Sequence, residues 1–193
     1  MQALFKEFEE ILPLTDHEAA LVADKITRST INRKGQVLKE GQICKHYSFV
    51  IKGCLKMYGI DDKGFSHNIQ FAAEDDWIAD IGSFYTQTVS KLNIEAIEDC
   101  EIYQINQPDL YWLLENLPKV NRMFKVISEN NFVEIQNRVL QNFSSTAEQR
   151  YLSFLEQYPH LSNRLPNTQI ASYLGITPEF LSKIRKGLTK KRL

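Results

Sequence analysis

In Gln169-Ile-Ala-Ser-Tyr-Leu-Gly-Ile-Thr-Pro-Glu-Phe-Leu-Ser-Lys-Ile-Arg-Lys186, apolar residues recur at helical spacing on both sides of Gly175. Glycine enters the left-handed backbone region without a Cβ penalty, so this position predicts a sharp turn between two short helices. Ile170, Leu174, Ile176, Leu181 and Ile184 supply a shared core, and Ala171 is small enough for the second helix to cross closely. Thr177 suits a helix cap, Pro178 a first helical position where a missing N–H costs nothing, and Glu179 the positive end of the helix dipole. The second helix therefore starts near Pro178 and turns Glu179, Ser182, Lys183 and Lys186 outward. Such groups suit base edges in a major groove or the neighbouring phosphates, as a recognition helix requires.

The charge distribution points the same way. Over 193 residues the net charge is only −1, yet 15 basic and 21 acidic residues precede Ser144, against 8 and 3 from it onward. The two parts carry about −6 and +5, so only the C-terminal part is expected to approach a polyanion. Lys183, Arg185, Lys186, Lys190, Lys191 and Arg192 concentrate that charge at the chain end, where salt-dependent attraction to phosphates accompanies base reading. Asn167 and Thr168, at the start of the first helix, complete the expected DNA-facing set.

Upstream, Leu4, Phe5, Phe8, Ile11 and Leu12 predict a first short helix ending at Pro13. Thr15-x-x-Glu18 is a capping box that starts a second, expected to run to about Arg28. From Thr30 to Asn106 the chain breaks into β-rich runs: Ser48–Ile51, Cys54–Tyr58, Phe65–Phe71, Leu92–Ile97 and Cys100–Ile105. Gly35, Gly41, Gly53 and Gly64 fall between runs, where tight turns need positive φ. These features predict a compact β-roll.

Gln107-Pro108-Asp109 opens a further helix, and a segment from about Lys119 to Asn142 has no breaker. Its apolar residues predict a long amphipathic helix and a two-fold dimer seam, interrupted at Asn131 and Glu134. Ser145-x-x-Glu148 reads as another capping box, opening a helix with Leu152, Leu155 and Tyr158 inward that stops at Pro159. The fold class is α+β, divided as a sensor domain over 1–118, a dimerisation helix over 119–143 and a helix-turn-helix domain over 144–193.

In that order of parts the chain resembles the Crp/Fnr family of bacterial regulators. The residues that carry the resemblance are Leu38-Lys-Glu-Gly41, Tyr47-Ser-Phe-Val-Ile-Lys-Gly53, Asp76-Trp-Ile-Ala-Asp-Ile-Gly-Ser-Phe84 and Thr177-Pro-Glu-Phe-Leu-Ser-Lys183. The resemblance implies a cyclic-nucleotide-binding-like sensor, double-stranded DNA as partner, homodimerisation and contact with RNA polymerase. It also implies base reading by Glu179, Ser182 and Lys183, with lysine where the family carries arginine; a bidentate guanidinium fork becomes a single ammonium. The effector pocket would comprise Ala79, Asp80, Ile81, Gly82, Ser83, Ser90 and Lys91. Relatives that bind cyclic AMP pair Gly-Glu with a downstream Arg-Ser/Thr, and Ala79-Asp80 and Ser90-Lys91 align with those pairs. Lys91 falls one residue beyond the arginine's place, which on a strand directs it to the opposite face. Cyclic AMP is therefore not expected, and the effector is not identified. Residues 187–193 are too few for the β-hairpin wing of many relatives.

Cys44, Cys54 and Cys100 have no metal-ligand spacing and read as core thiols, and His17, His46, His67 and His160 share no motif. No cofactor or metal is predicted. The absence of a glycine-rich phosphate loop or nucleophile elbow argues against an enzyme, and Asp75-Asp76 with nearby Asp80 reads as a turn between strands. No apolar run reaches the roughly 18 residues of a membrane span, and the N-terminus does not resemble a secretory signal, so a cytoplasmic location is expected. The competing reading is a small-ligand or protein-interaction module whose helix-turn-helix docks a protein and leaves DNA unbound.

Overall fold

The computed structural model describes residues 4–5 and 12–191, the last two by their backbone alone. The first helix expected from the sequence falls largely outside the described residues. The Thr15 box opens α1 (Asp16–Lys25): Glu18 N–H donates to Thr15 Oγ1 at 3.3 Å and Thr15 N–H to Glu18 Oε2 at 2.7 Å. The helix stops at Ile26 rather than near Arg28, because Thr27–Ile31 is already strand β1, paired antiparallel with Cys100–Gln104. Hydrogen bonding across about 75 residues of chain outweighs local helical propensity there.

Seven strands follow: β2 (Gln36–Leu38), β3 (His46–Lys52), β4 (Leu55–Ile60), β5 (Ser66–Ala72), β6 (Trp77–Ile78), β7 (Leu92–Ala96) and β8 (Cys100–Asn106). They form two four-stranded sheets, ordered β1-β8-β3-β6 and β2-β7-β4-β5. The expected runs reappear as β3, β4, β5, β7 and β8, shifted by one or two residues at their ends. Strand β1 has one apolar residue, Ile31, and β2 and β6 are only three and two residues long, too short to announce themselves. A short helix, α2 (Ile81–Thr86), lies between β6 and β7.

Gly41, Gly53 and Gly64 take positive φ as expected, but at the first turn the left-handed residue is Lys34, with φ 67°. Gly35 is needed there for space: a Cβ would stand 2.7 Å from Asn32 O and 2.8 Å from Ile31 Cγ2.

The next helices are α3 (Gln107–Asn116), α4 (Pro118–Ser144), α5 (Ala147–Gln157), α6 (Asn167–Leu174) and α7 (Pro178–Lys191). Packing divides the chain into two compact units. Among the described residues, one comprises those up to Gly59 with Gln70–Asn130; the other comprises Ile60–Ile69 with those from Asn131 onward.

In the first unit, Tyr47, Trp77, Phe84 and Phe124 form an aromatic cluster with ring centroids 5.2–5.9 Å apart in edge-on geometry. Each such pair adds about 0.5–1.5 kcal/mol beyond the area it buries. Val120, Met123 and Phe124 of α4 are buried in this core. The cysteines Cys44, Cys54 and Cys100 are buried free thiols, in keeping with the sequence reading. Asp75, with φ 69°, and Asp76, whose Oδ2 accepts the Ala73 N–H at 2.9 Å, shape the turn before β6.

Candidate nucleic-acid interface

The second unit is organised around an aromatic core. Phe154 of α5 stands 5.3 Å from Tyr158 and 5.6 Å from Tyr173 between ring centroids, and the two tyrosines are 6.0 Å apart. The inward residues of α5 are Tyr151 and Phe154, with Tyr158 at its C-cap, whereas Leu152 is exposed and Leu155 half-buried. The sequence reading had Leu152 and Leu155 inward. The cap is Thr146 with Gln149 and not Ser145 with Glu148, and the packing of Phe154 and Tyr158 on Tyr173 decides which face turns inward. Thr146 Oγ1 accepts the Gln149 N–H at 3.2 Å, and Gln149 Oε1 accepts the Thr146 N–H at 2.8 Å. Ser145 N–H still bonds Gln141 O at 3.0 Å, continuing the end of α4.

Helix α6 ends at Gly175, which adopts φ 66°, ψ 37°, and Ile176 N–H reaches back to Ala171 O at 3.0 Å. These bonds satisfy carbonyls that the helix end would otherwise orphan. Thr177 then caps α7: its Oγ1 accepts the Phe180 N–H at 3.2 Å. Ile170, Ala171, Leu174, Leu181 and Ile184 are buried as the spacing predicts, and Ile176 is half-buried.

On the opposite side of α7, Glu179, Lys183 and Lys186 are exposed at steps of four and three residues, so they form one row. Ser182 is half-buried beside this row, and its hydroxyl donates to Pro178 O at 3.0 Å. Arg185 is turned toward its own unit: its guanidinium lies 5.4 Å from the Tyr151 ring centroid and donates to Ser162 O at 3.2 Å. Thr168 is exposed and Asn167 half-buried in the first turn of α6. The side chains of Lys190 and Lys191, and all of Arg192, lie outside the described residues.

Residues 60–69 complete this unit, which sequence reading did not anticipate. Asp61 builds the hairpin turn by accepting the Lys63 and Phe65 N–H groups on Oδ1, each at 2.9 Å, and its Oδ2 lies 2.9 Å from His67 Nε2. The His67 contact and these N–H bonds hold its carboxyl below the usual carboxylate range. Buried Asn68 donates its N–H to Ser172 Oγ at 3.0 Å and its amide to Gln169 O and Oε1, both at 2.9 Å. Ser172 Oγ in turn donates to Ser66 O at 2.7 Å. Arg138 of α4 ties three segments together, donating to the carbonyls of Ile69, Asn68 and Tyr173, with its guanidinium 4.0 Å from the Tyr173 ring centroid. Glu134 accepts the Tyr158 hydroxyl at 3.3 Å and the Gln157 amide, which explains a carboxylate in the middle of an otherwise apolar repeat.

In the first unit, the pocket residues expected from the resemblance gather around α2. Asp80 is its N-cap, with Oδ1 accepting the Ser83 N–H at 3.2 Å, while Oδ2 accepts the Ser90 hydroxyl at 2.5 Å. Buried Ser83 accepts the Cys44 N–H at 2.9 Å and donates to Thr88 O at 2.6 Å. Ala79 and Ser90 are buried; Ile81, Gly82 and Lys91 are exposed. Lys91 lies just before β7, not within a strand.

The sequence profile of the cyclic nucleotide-binding domain matches residues 30–116, a segment spanning β2 to β8 and α3. The solved structure of FixK2 from Bradyrhizobium japonicum superimposes with a TM-score of 0.73 at 18% identity, covering 86% of this chain and 85% of that one. A Crp/Fnr-family transcriptional regulator from Eubacterium rectale superimposes with a TM-score of 0.67 at 16% identity, covering 92% and 85%. The fold is that of the Crp/Fnr regulators. Among curated proteins, the "Probable transcriptional regulator flp" of Lacticaseibacillus casei is 25% identical over 190 residues, covering 91% of this chain and 83% of the relative.

A Crp/Fnr sensor that holds a cyclic nucleotide needs a cation facing its phosphate. At the position aligned with that cation this chain places Ser90, whose hydroxyl donates to Asp80, the residue aligned with the family's own carboxylate. An incoming cyclic phosphate would meet the Ser90 hydroxyl in place of a guanidinium, and without that charged, bidentate donor these residues fit a cyclic phosphate poorly.

Proposed function

We propose that this protein is a sequence-specific transcription regulator that reads duplex DNA as a homodimer, with an effector other than a conventionally bound cyclic nucleotide. The observation that carries the reading is the row of Glu179, Lys183 and Lys186, exposed on a helix whose start and crossing are fixed by Thr177 and Gly175. Glu179 is suited to accept from a cytosine amine, while Lys183 and Lys186 donate to guanine edges or phosphates. The excess of 8 basic over 3 acidic residues from Ser144 onward gives the surrounding surface the sign a polyanion requires. The similarity to the Lacticaseibacillus casei regulator supports the same reading. Action in the cytoplasm, regulation through RNA polymerase and the lack of catalytic activity go with it.

The dimer seam is the exposed apolar side of α4, where Phe132, Ile135, Val139, Leu140 and Phe143 face solvent in the single chain. Two-fold pairing would set two recognition helices against two half-sites, making the DNA site near-palindromic.

Selection from random duplexes with the full-length chain tests the proposal. The expected result is a near-palindromic site bound with an affinity that falls by about 0.9 log units per log unit of salt for each neutralised phosphate. Glu179→Ala combined with Lys183→Ala should weaken the selected site at least tenfold relative to random DNA, given about 1–3 kcal/mol for a good base contact. Absence of sequence preference at moderate salt would overturn it.

A further inference from the structure

Phe180 stands apart on the α7 surface. Within α6 and α7, among the described residues, it is the one large hydrophobic side chain left exposed, at 48%. The core of this region does not use it, since Leu181 and Ile184 fill that role from the buried side of the same helix. Its backbone is fixed by the bond from its N–H to Thr177 Oγ1, so the ring projects from a defined first turn. It neighbours Glu179 in sequence and lies three residues before Lys183, which places the ring at the edge of the polar row. An aromatic ring kept in water on an otherwise polar face points to a partner with an apolar group among polar ones. In the major groove one base offers that: thymine, through its C5-methyl.

We propose that Phe180 is a specificity-determining residue that contacts the methyl group of a thymine beside the base pair read by Glu179. This rests on the DNA-reading proposal above and adds a base identity to it. The contact is apolar, so it discriminates thymine from cytosine, and equally from uracil, which presents the same hydrogen-bonding edge without the methyl.

The experiment uses the full-length chain and the duplex it selects. Each thymine is replaced in turn by deoxyuridine, which removes one methyl and leaves pairing intact. Wild-type protein should lose about threefold or more in affinity at one thymine per half-site, the scale expected for one buried methyl. The same replacement should leave Phe180→Ala unaffected, while Phe180→Leu retains part of the discrimination; circular dichroism checks that both variants fold. If the wild type is indifferent to uracil at every position, or if Phe180→Ala is equally sensitive, the inference fails while DNA reading stands. If the chain selects no sequence at all, the DNA-reading proposal fails and the inference falls with it.

Discussion

Glu18 serves two contacts at once. Its carboxylate closes the Thr15 cap and pairs with Lys119 Nζ at 2.8 Å, and the Lys119 bond is the chief cause of a pKa lowered from 4.5 to about 2. A carboxyl depressed in the folded state stabilises the fold above its unfolded pKa, and that contribution fades as pH falls toward the folded value. Glu18→Gln keeps the cap and loses the charge. In urea titrations the variant should unfold earlier than wild type at pH 7, and the gap should narrow between about pH 4.5 and pH 2. A gap independent of pH would assign the effect to the cap. At the cysteines burial acts in the other direction, pushing the Cys100 thiol up to about 11 and raising Cys44. All three thiols should resist a disulfide reagent at pH 8 in the native protein and react together on unfolding in urea.

At the scale of elements, the helix-turn-helix was legible because its signals are local: Gly175, Thr177 and Pro178 act within a few residues of themselves. The phase of α5 was not, because Ser145-x-x-Glu148 and Thr146-x-x-Gln149 both satisfy the capping pattern, and only Phe154 and Tyr158 packing on Tyr173 selects the second. The short strands β1, β2 and β6 depend on partners far along the chain, and no local composition marks them. The hydrogen bond between Ser90 and Asp80 was not legible, because it joins residues ten apart across α2 and the turn before β7. Arg138 is the clearest case of a hidden role, since its three carbonyl partners come from residues 69, 68 and 173. Arg138→Ala leaves those carbonyls without a charged donor and should cost about 2–4 kcal/mol. Both tryptophans, Trp77 and Trp112, lie in the first unit. Unfolding of the variant should therefore be seen by circular dichroism at lower urea than by tryptophan fluorescence. Coincident transitions shifted together would refute a role confined to the second unit.

At the scale of the whole molecule, the exposed side of α4 is the proposed seam between two copies. Phe143 is 87% exposed near the end of that helix. If α4 is the seam between two copies, Phe143→Glu should raise the dimer dissociation constant by tenfold or more in sedimentation equilibrium. Operator affinity should fall with it, because one recognition helix alone contacts only half a site.

The tip at residues 60–69 also limits what can be borrowed from this protein. A helix-turn-helix whose polar groups were all met by its own segment could be cut out and grafted onto another sensor. Here Gln169, Ser172 and Arg138 bond to a loop made 70 or more residues earlier in the chain. A fragment beginning at Ser144 would lose both that loop and Arg138, baring hydrogen-bonding groups that the intact chain covers. Chimeras that replace the first unit would have to keep the ten residues 60–69 with the helix-turn-helix, so the chain cannot be divided at a single cut near Ser144.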